Sequence, residues 1–400
     1  MQESAGISVI RGEGLKPCHG WRRFFKMGLL IVFPMIVLSG CEAVKGAAKE
    51  TSEFLVVAEW NVQALFDGQE TGNEYGEYLE SAGWTKEKYL ARVTAISRAV
   101  LSMVREEVTP AEMGLNAAAL KQKVPDIIGF IEVENVNILL NLAEGELSKQ
   151  GYLWAAFAKL PGSSLGIGFL SRFPFEDIRT HMISAGVETA PRPVLEVKIA
   201  PRGKPIVLLL CHWKSKLGNI DVTEAQRRSS ARVIQRRIRE LNETEAGMPV
   251  IVLGDLNENH DEYYRRAVFS ALLPDDPLAA ATAEAKKSPG ASQTQEFLVL
   301  SEEKPPRSIY FPEGTPALYS PWNGDLSEGS YHYKGEWETI DHFLLSNALF
   351  DGTGWEYSGC RVLNQGPFAA ASGIPDAYVP RSGRGLSDHL PLLLYLRDVR

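Results

Sequence analysis

A layered α/β body is predicted for this chain, because apolar segments of strand length outnumber those with helical spacing and the two kinds follow one another in irregular order. Hydrophobic residues make up 44% of the 400. That is enough to bury one large core or two modest ones, since single mixed domains of roughly 200–250 residues are common. No internal repeat or low-complexity tract is visible.

The first element is a leader. Met27 to Leu38 is apolar, follows Arg22, Arg23 and Lys26, and runs into Leu38-Ser39-Gly40-Cys41. It is shorter than the ~20 residues of a membrane span and has the basic, apolar and small-residue order of an export signal. Leu-Ser-Gly-Cys resembles a bacterial lipobox, in which the cysteine is lipidated and becomes the first mature residue. Residues 1–40 are therefore expected to be a lipoprotein signal peptide, with Met27 as an alternative start. Cys41 would be the anchor to a membrane of the cell envelope, and residues 41–52 a tether. Removing the leader takes away five basic and two acidic residues and moves the formal charge from −8 to −11. Such a balance excludes a sequence-independent grip on nucleic acid by the whole surface, though not a local basic cleft. Of the remaining cysteines, Cys211 lies in an apolar run and reads as a buried thiol, a Cys211–Cys360 disulfide being the alternative.

Residues 53–400 form the folded domain. Phe54 to Trp60 reads as a first strand. Thr85 begins a helix, because Tyr89, Val93, Ile96, Val100 and Val104 recur at helical spacing. Strands follow at Asp126 to Ile131 and Gly166 to Leu170, then a pair, Val194 to Ile199 and Ile206 to Leu210, joined by Pro201-Arg202-Gly203-Lys204. Thr223-Glu224-Ala225-Gln226 has capping-box spacing and predicts a second helix to about Leu241. Val250 to Leu253 is a short buried strand. Residues 273–336, rich in Pro, Gly, Ser and Lys, read as long loops with little regular structure, mostly polar apart from Phe297-Leu298-Val299-Leu300. Thr339 to Leu345 and Leu390 to Leu396 complete the strands.

Polar groups stand at the ends of these strands: Asn61, Glu132, His212, Asp255 with Asn257, Asp341, and Asp388 with His389. One such residue is ordinary turn chemistry, but six strands ending this way point to a shared site. Carboxylates, amides and imidazoles with no cysteine suit Mg²⁺ or Mn²⁺ better than structural zinc. A hard cation polarising a phosphoryl oxygen, with an acid or imidazole to activate water, is sufficient to cleave a phosphate ester.

Six segments, Trp60-Asn61-Val62-Gln63-Ala64-Leu65-Phe66-Asp67, Ile131-Glu132-Val133-Glu134-Asn135, Leu210-Cys211-His212-Trp213-Lys214-Ser215-Lys216, Gly254-Asp255-Leu256-Asn257-Glu258, Thr339-Ile340-Asp341-His342 and Leu386-Ser387-Asp388-His389-Leu390-Pro391, resemble the ordered motifs of the endonuclease/exonuclease/phosphatase superfamily. The resemblance implies a deoxyribonuclease I-like four-layer sandwich: two packed mixed β-sheets flanked by helices. It also implies Mg²⁺-dependent in-line attack of water on a phosphoester. By the same resemblance, Glu132 is the principal metal ligand, with Asn61 and Asp388 nearby. Asp255, helped by Asn257, orients or deprotonates the water, and His389, oriented by Asp341, is the acid/base or phosphate contact. His212 holds phosphoryl oxygens and Arg192 contacts phosphate, while Lys214 joins them as a substrate-binding cation. His342 falls on the opposite strand face by alternation and is left out.

Two other motifs compete. Gly162-Ser163-Ser164-Leu165-Gly166 fits a nucleophile elbow, but a strand follows the serine where an elbow needs a helix. Asn259-His260-Asp261 resembles a dimetal phosphoesterase element, and His260 reads as an exposed loop residue. Aromatic residues beside lysines, in Trp213-Lys214-Ser215-Lys216 and in Tyr331-His332-Tyr333-Lys334 with Trp337, suit either base stacking with phosphate pairing or insertion at a lipid interface. Because the sequence shows no exposed hydrophobic hairpin of the kind expected of a sphingomyelinase-type enzyme, nucleic acid is the expected substrate ahead of phospholipid or inositol phosphate. A non-catalytic binding lipoprotein is the further alternative, and nothing points to an obligate protein partner.

Overall fold

Alternation along one long strand shows how the molecule layers. In the strand Phe54–Leu65, Leu55 and Val57 enter one apolar cluster while Val56, Ala58, Trp60 and Val62 enter another, as a period of two requires. A strand buried on both faces belongs in the middle of a layered stack. The computed structural model describes residues 8–11, 53–104, 124–183, 191–275, 297–304 and 317–399; Cys41 and the tether lie outside them.

Among the described residues the first sheet has seven strands: β1 (Ser8–Arg11), β2 (Phe54–Leu65), β3 (Ile127–Val133), β4 (Trp154–Ala158), β5 (Gly166–Ser171), β16 (Gly354–Val362) and β17 (Leu392–Val399). Their order is β1-β4-β5-β3-β2-β17-β16, with β2 and β3 parallel at its centre. The second sheet has eight: β6 (Asp177–His181), β7 (Val194–Ile199), β8 (Ile206–His212), β9 (Val250–Asp255), β10 (Leu272–Pro274), β11 (Leu298–Ser301), β12 (Ala317–Tyr319) and β15 (Asp341–Leu345). Here β8 and β9 are parallel and β15 runs antiparallel to β9. A small hairpin, β13 (Tyr331–Tyr333) and β14 (Glu336–Glu338), stands apart.

The inner faces of the two sheets meet in one core of Leu55, Val57, Ile127, Phe169, Leu208, Leu210, Ile251, Leu253, Phe343 and Leu394, among others. At Gly129 an added Cβ would lie 2.8 Å from Leu210, so a bare backbone lets the sheets approach. Helices α1 (Lys86–Val100) and α2 (Val136–Glu144) cover the outer face of the first sheet; α3 (Ile220–Thr244) covers the second, and the short α4 (Glu262–Arg266) flanks it. This is the expected four-layer sandwich of mixed sheets. No helix among the described residues is long and apolar enough to cross a membrane.

The expected boundaries shift in three places. Helix α3 begins at Ile220, because the Asn219 side chain accepts hydrogen bonds from the Asp221 and Val222 N–H groups at 3.0 and 3.3 Å. The Thr223 box lies inside its first turn. Residues 273–336 contribute β11, β12 and β13, short strands that pairing with neighbours stabilises where local propensity does not. Finally, β1 lies inside the stretch read as a leader, and it pairs with β4 at the sheet edge. In a chain processed at Cys41 that sheet would end at β4. Cys211 and Cys360 are buried free thiols.

Helix α3 is tied to the second sheet by charge as well as by apolar packing. Arg237 donates from Nε and Nη2 to the two oxygens of Glu196 on β7, both at 2.8 Å, and His181 Nε2 lies 2.6 Å from Oε2. Burial raises the Glu196 pKa, but the His181 and Arg237 hydrogen bonds outweigh it and hold the carboxyl near 2 against an ordinary 4.5. A depressed folded-state pKa gives stability that is present above the ordinary value and lost as pH falls towards the folded one. Glu196→Gln should therefore cost about 3 kcal/mol at neutral pH. In denaturant titrations the gap from wild type should stay full above about pH 4.5 and close as pH falls towards 2.

Candidate active site

The rule that layers the core also builds the site. On β9, Ile251 and Leu253 point into the inter-sheet core, so Asp255 points the same way one step higher. Likewise β8 carries Leu208 and Leu210 inward and then His212, and β15 places Asp341 in line with Phe343 and Leu345. On β2, Leu55 and Val57 are followed on that face by Glu59 and Asn61. Register brings these tips level, since Asp255 pairs with both His212 and Asp341. His342 lies on the other face, buried, with Nε2 2.8 Å from the Glu258 carbonyl, as alternation predicts.

Glu132 would face away from this rim in a regular strand. Register shifts between Asn61 and Leu65 on β2, and between Ile131 and Val133 on β3, break the alternation at the same level. Gln63, Ala64 and Glu132 there have φ of 51°, 54° and 65°, in the left-handed region that non-glycine residues avoid. Such bulges re-aim side chains. Gly254 has φ 121°, and an added Cβ would come within 2.2 Å of the Cys211 carbonyl oxygen, so only glycine fits before Asp255.

The tips converge. Asn61 Nδ2 donates to Asp255 Oδ2 at 3.1 Å, and His212 Nε2 lies 3.6 Å from that oxygen and 3.7 Å from Glu132 Oε1. His389 Nδ1 is 2.8 Å from Asp341 Oδ2, which also accepts the Ser330 hydroxyl at 2.6 Å. Asp388 Oδ1 stands 4.0 Å from His389 Nε2 on a partly exposed side chain. The loop bearing His389 is pinned to β2: Trp60 Nε1 donates to the His389 carbonyl at 3.1 Å and Ser387 Oγ to the Asn61 carbonyl at 2.6 Å. Asn257 donates its main-chain N–H to Asp255 Oδ1 at 2.9 Å and its side-chain amide to the Trp213 carbonyl at 3.2 Å. Arg192 donates to that same carbonyl at 2.8 Å.

Electrostatics separates the two imidazoles. Burial disfavours the charged form of His389, but the Asp341 carboxylate, then Asp388 and Asp255, hold its pKa well above the ordinary value. Burial, with Arg192, His389 and Lys214 nearby, pushes His212 well below it. His389 is thus a cation and His212 a neutral ring near neutrality. Asp255 is pushed up to about 7, by burial first and by the Asp341 and Glu132 charges against the lowering pull of His389.

Asn61, Glu132, His212, Asp255, Asn257, Asp341, Asp388 and His389 are therefore gathered at one rim, with Arg192 and Lys214 beside it. Cys41 lies outside the described residues. Three supporting residues escaped the sequence reading. Ser330 fixes Asp341 from a polar loop with no motif around it. Glu59, directly below Asn61 on the same strand face, is fully buried with no partner for either oxygen among the described residues. Burial, then the Asp341 and Asp255 charges, drives its pKa well above the ordinary value, and two-residue spacing from Asn61 was the available signal. Arg92 lies buried under the Gln63–Ala64 turn. His260, expected to be exposed, has a side chain only 19% exposed, because its Nδ1 sits 2.9 Å from Thr339 Oγ1 and its ring stacks on Trp322.

A family model described as Endonuclease/Exonuclease/phosphatase family matches residues 56–279. The chain belongs to that family. Its site is consistent with phosphoester hydrolysis. No curated protein matches the chain. Solved structures similar to it include truncated TDP2 from Caenorhabditis elegans, 13% identical over 87% of this chain and 100% of that one, with a TM-score of 0.48. A family protein from Bacteroides thetaiotaomicron is 14% identical over 86% of this chain and 95% of that one, at 0.45. The human nocturnin catalytic domain with bound sulfate is 15% identical over 86% and 94%, at 0.42.

The family is generally dependent on divalent metal, and the donor set here fits one. The Glu132 and Asp255 carboxylates both lie within 3.7 Å of His212 Nε2, and Asp341 Oδ1 is buried with no protein partner among the described residues. Oxygen donors in excess of buried cations suit a hard ion. Replacing Asp341 by Asn keeps the shape and removes the charge that orients His389. Turnover of a phosphoester by Asp341→Asn should fall by about 10²-fold or more with KM little changed, measured by initial rates; an unaltered kcat would count against this pair.

Proposed function

We propose that this protein is a Mg²⁺- or Mn²⁺-dependent phosphodiesterase, most simply a nuclease, held at the cell envelope by a lipid on Cys41. The observation that carries the chemistry is the convergence of the Asp341–His389 pair with Asn61, Asp255, His212 and Glu132 at one rim. Glu132, with Asn61 and Asp388 nearby, would hold the ion. Bound there, it would polarise a phosphoryl oxygen of the scissile group.

The chain's own residues supply the rest. Asp255, with a pKa near 7, accepts the proton of a water whose oxygen bonds to phosphorus in line with the leaving oxygen. Asn61 and the Asn257 N–H fix that carboxylate. As the far P–O bond breaks, the leaving oxygen takes a proton from His389. Neutral His212 donates to a phosphoryl oxygen, and Arg192 and Lys214 add positive charge beside it.

Nucleic acid is supported by the aromatic hairpin over the site. The Tyr331 ring centre lies 4.6 Å from that of His389, Tyr333 stacks on Tyr331 at 6.2 Å, and Lys334 Nζ is 5.1 Å from the Tyr333 ring centre. Such platforms stack bases while cations pair phosphates. One observation favours a phospholipid instead: beside Lys214, Leu217, Ile220 and Val222 are 74%, 40% and 52% exposed, an apolar knob suited to a lipid interface.

The purified protein, offered plasmid DNA, RNA, sphingomyelin vesicles and inositol phosphates with and without chelator, should cleave nucleic acid only when metal is present. Preference for vesicles would transfer the assignment to the lipid reading, and chelator-resistant turnover would end the metal reading. Glu132→Gln and His389→Ala should each lose at least ~10²-fold in rate while unfolding like wild type. In the native host, Cys41→Ser should move the protein from the membrane fraction to the soluble one; retention in the membrane would refute the anchor.

A further inference from the structure

We propose that Arg92 is a positioning residue for the metal site, acting by clamping the left-handed turn that orients Glu132 and Asn61. The inference rests on the reading of Glu132 as a metal ligand and adds a residue that touches neither metal nor substrate.

Arg92 projects from α1 and is 2% exposed. Its guanidinium donates to three successive carbonyls: Nη2 to Val62 and Gln63, both at 2.6 Å, and Nη1 to Ala64 at 2.9 Å. Nη1 also lies 3.2 Å from the Tyr78 hydroxyl, and the guanidinium carbon sits 3.7 Å from the centre of the Tyr378 ring. No carboxylate pairs with Arg92 among the described residues. A buried cation whose partners are carbonyls and a ring face is costly to keep, so the carbonyls themselves call for explanation. Three in a row can converge on one cation because Gln63 and Ala64 adopt positive φ, which turns the chain out of the strand. Without the guanidinium, the Val62 and Gln63 oxygens would lose the donor they share, and Ala64 O would keep only the Phe66 N–H at 3.1 Å.

The other edge of the same turn faces the site. Its N–H groups point the opposite way: Ala64 donates to Glu132 Oε2 at 2.8 Å, and Gln63 to Asn61 Oδ1 at 3.0 Å. One three-residue turn thus takes its carbonyl side from Arg92 and gives its amide side to two residues of the metal corner. A second brace holds it laterally, where Gln63 exchanges hydrogen bonds with the main chain of Tyr378, accepting at 2.7 Å and donating at 3.2 Å. Relaxing the turn to ordinary strand geometry would remove the hydrogen bond from Glu132 Oε2 and free that carboxylate to rotate. Groups that orient a ligand from behind affect metal affinity before they affect anything else.

The experiment is Mn²⁺ titration of the full chain, read by loss of the free-ion EPR signal, for wild type, Arg92→Lys, Arg92→Met, Gln63→Ala and Glu132→Gln. Thermal unfolding of each checks that it is folded. Arg92→Lys and Arg92→Met should bind Mn²⁺ about tenfold or more weakly. Their kcat should recover as metal is raised, with substrate KM at saturating metal unchanged; a merely structural arginine would not shift the metal titration. Gln63→Ala should shift it the same way by less, and it carries the test if the Arg92 variants do not fold. Wild-type Mn²⁺ affinity in every folded Arg92 and Gln63 variant, with Glu132→Gln impaired, would overturn the clamp alone. Wild-type affinity in Glu132→Gln would overturn both the clamp and the ligand assignment beneath it.

Discussion

Everything at the site depends on the face-to-face packing of two sheets. Once Leu55, Val57, Leu208, Leu210, Ile251, Leu253, Phe343 and Leu345 are committed to one dry inner core, strand periodicity leaves no freedom for the residues beyond them. His212, Asp255, Asn61 and Asp341 must emerge at one rim. Among these four the fold brings together groups as much as 280 positions apart, Asn61 and Asp341.

That rim is electrostatically unbalanced, and the imbalance is its chemical content. Glu59, Glu132, Asp255 and Asp341 crowd a region where water is scarce, against one imidazolium and one neutral imidazole. Burial raises the Glu59 and Asp255 pKa values, which eases part of the cost, and placing His389 against Asp341 eases another part. What remains is an oxygen-rich hollow that a divalent cation would satisfy. A buried acid with a pKa near 7 beside an imidazole held cationic is also the separation that acid–base chemistry near neutrality requires.

Strain is concentrated where alternation alone would fail. Glu132 and the Gln63–Ala64 turn hold left-handed conformations side by side on adjacent parallel strands, and each is stabilised by what surrounds it: the turn by Arg92 and Tyr378, Glu132 by the Ala64 N–H. On the second sheet, buried Arg227 pairs with Glu258 at 2.9 Å and donates to the Lys214 carbonyl at 3.1 Å, so the loop after His212 is also held from behind. His212, Asp255 and Asp341 rest on strands and His389 on a loop pinned to β2, while Arg92 and Arg227 hold the neighbouring turn and loop from the helical layers.

By itself the sequence determined the layered class, most central strands, both long helices and which polar residues end the strands, because strand period, helical spacing and polar residues closing apolar runs are local signals. The family resemblance supplied only the expected roles of those groups. Strands β1, β4, β6, β10 to β14 and β16 went unread, most of them short or half-exposed segments that hydrogen bonding to neighbours creates. Ser330, Glu59 and Arg92 were less legible, since a serine in a polar loop, an acid in a strand and an arginine on a helix look ordinary until a distant carboxylate reaches the serine, distant carbonyls reach the arginine and burial shuts water from the acid. Tertiary structure alone decided which imidazole is charged, for that depends on whether burial or a facing carboxylate prevails, and burial and facing exist only once the sheets have closed.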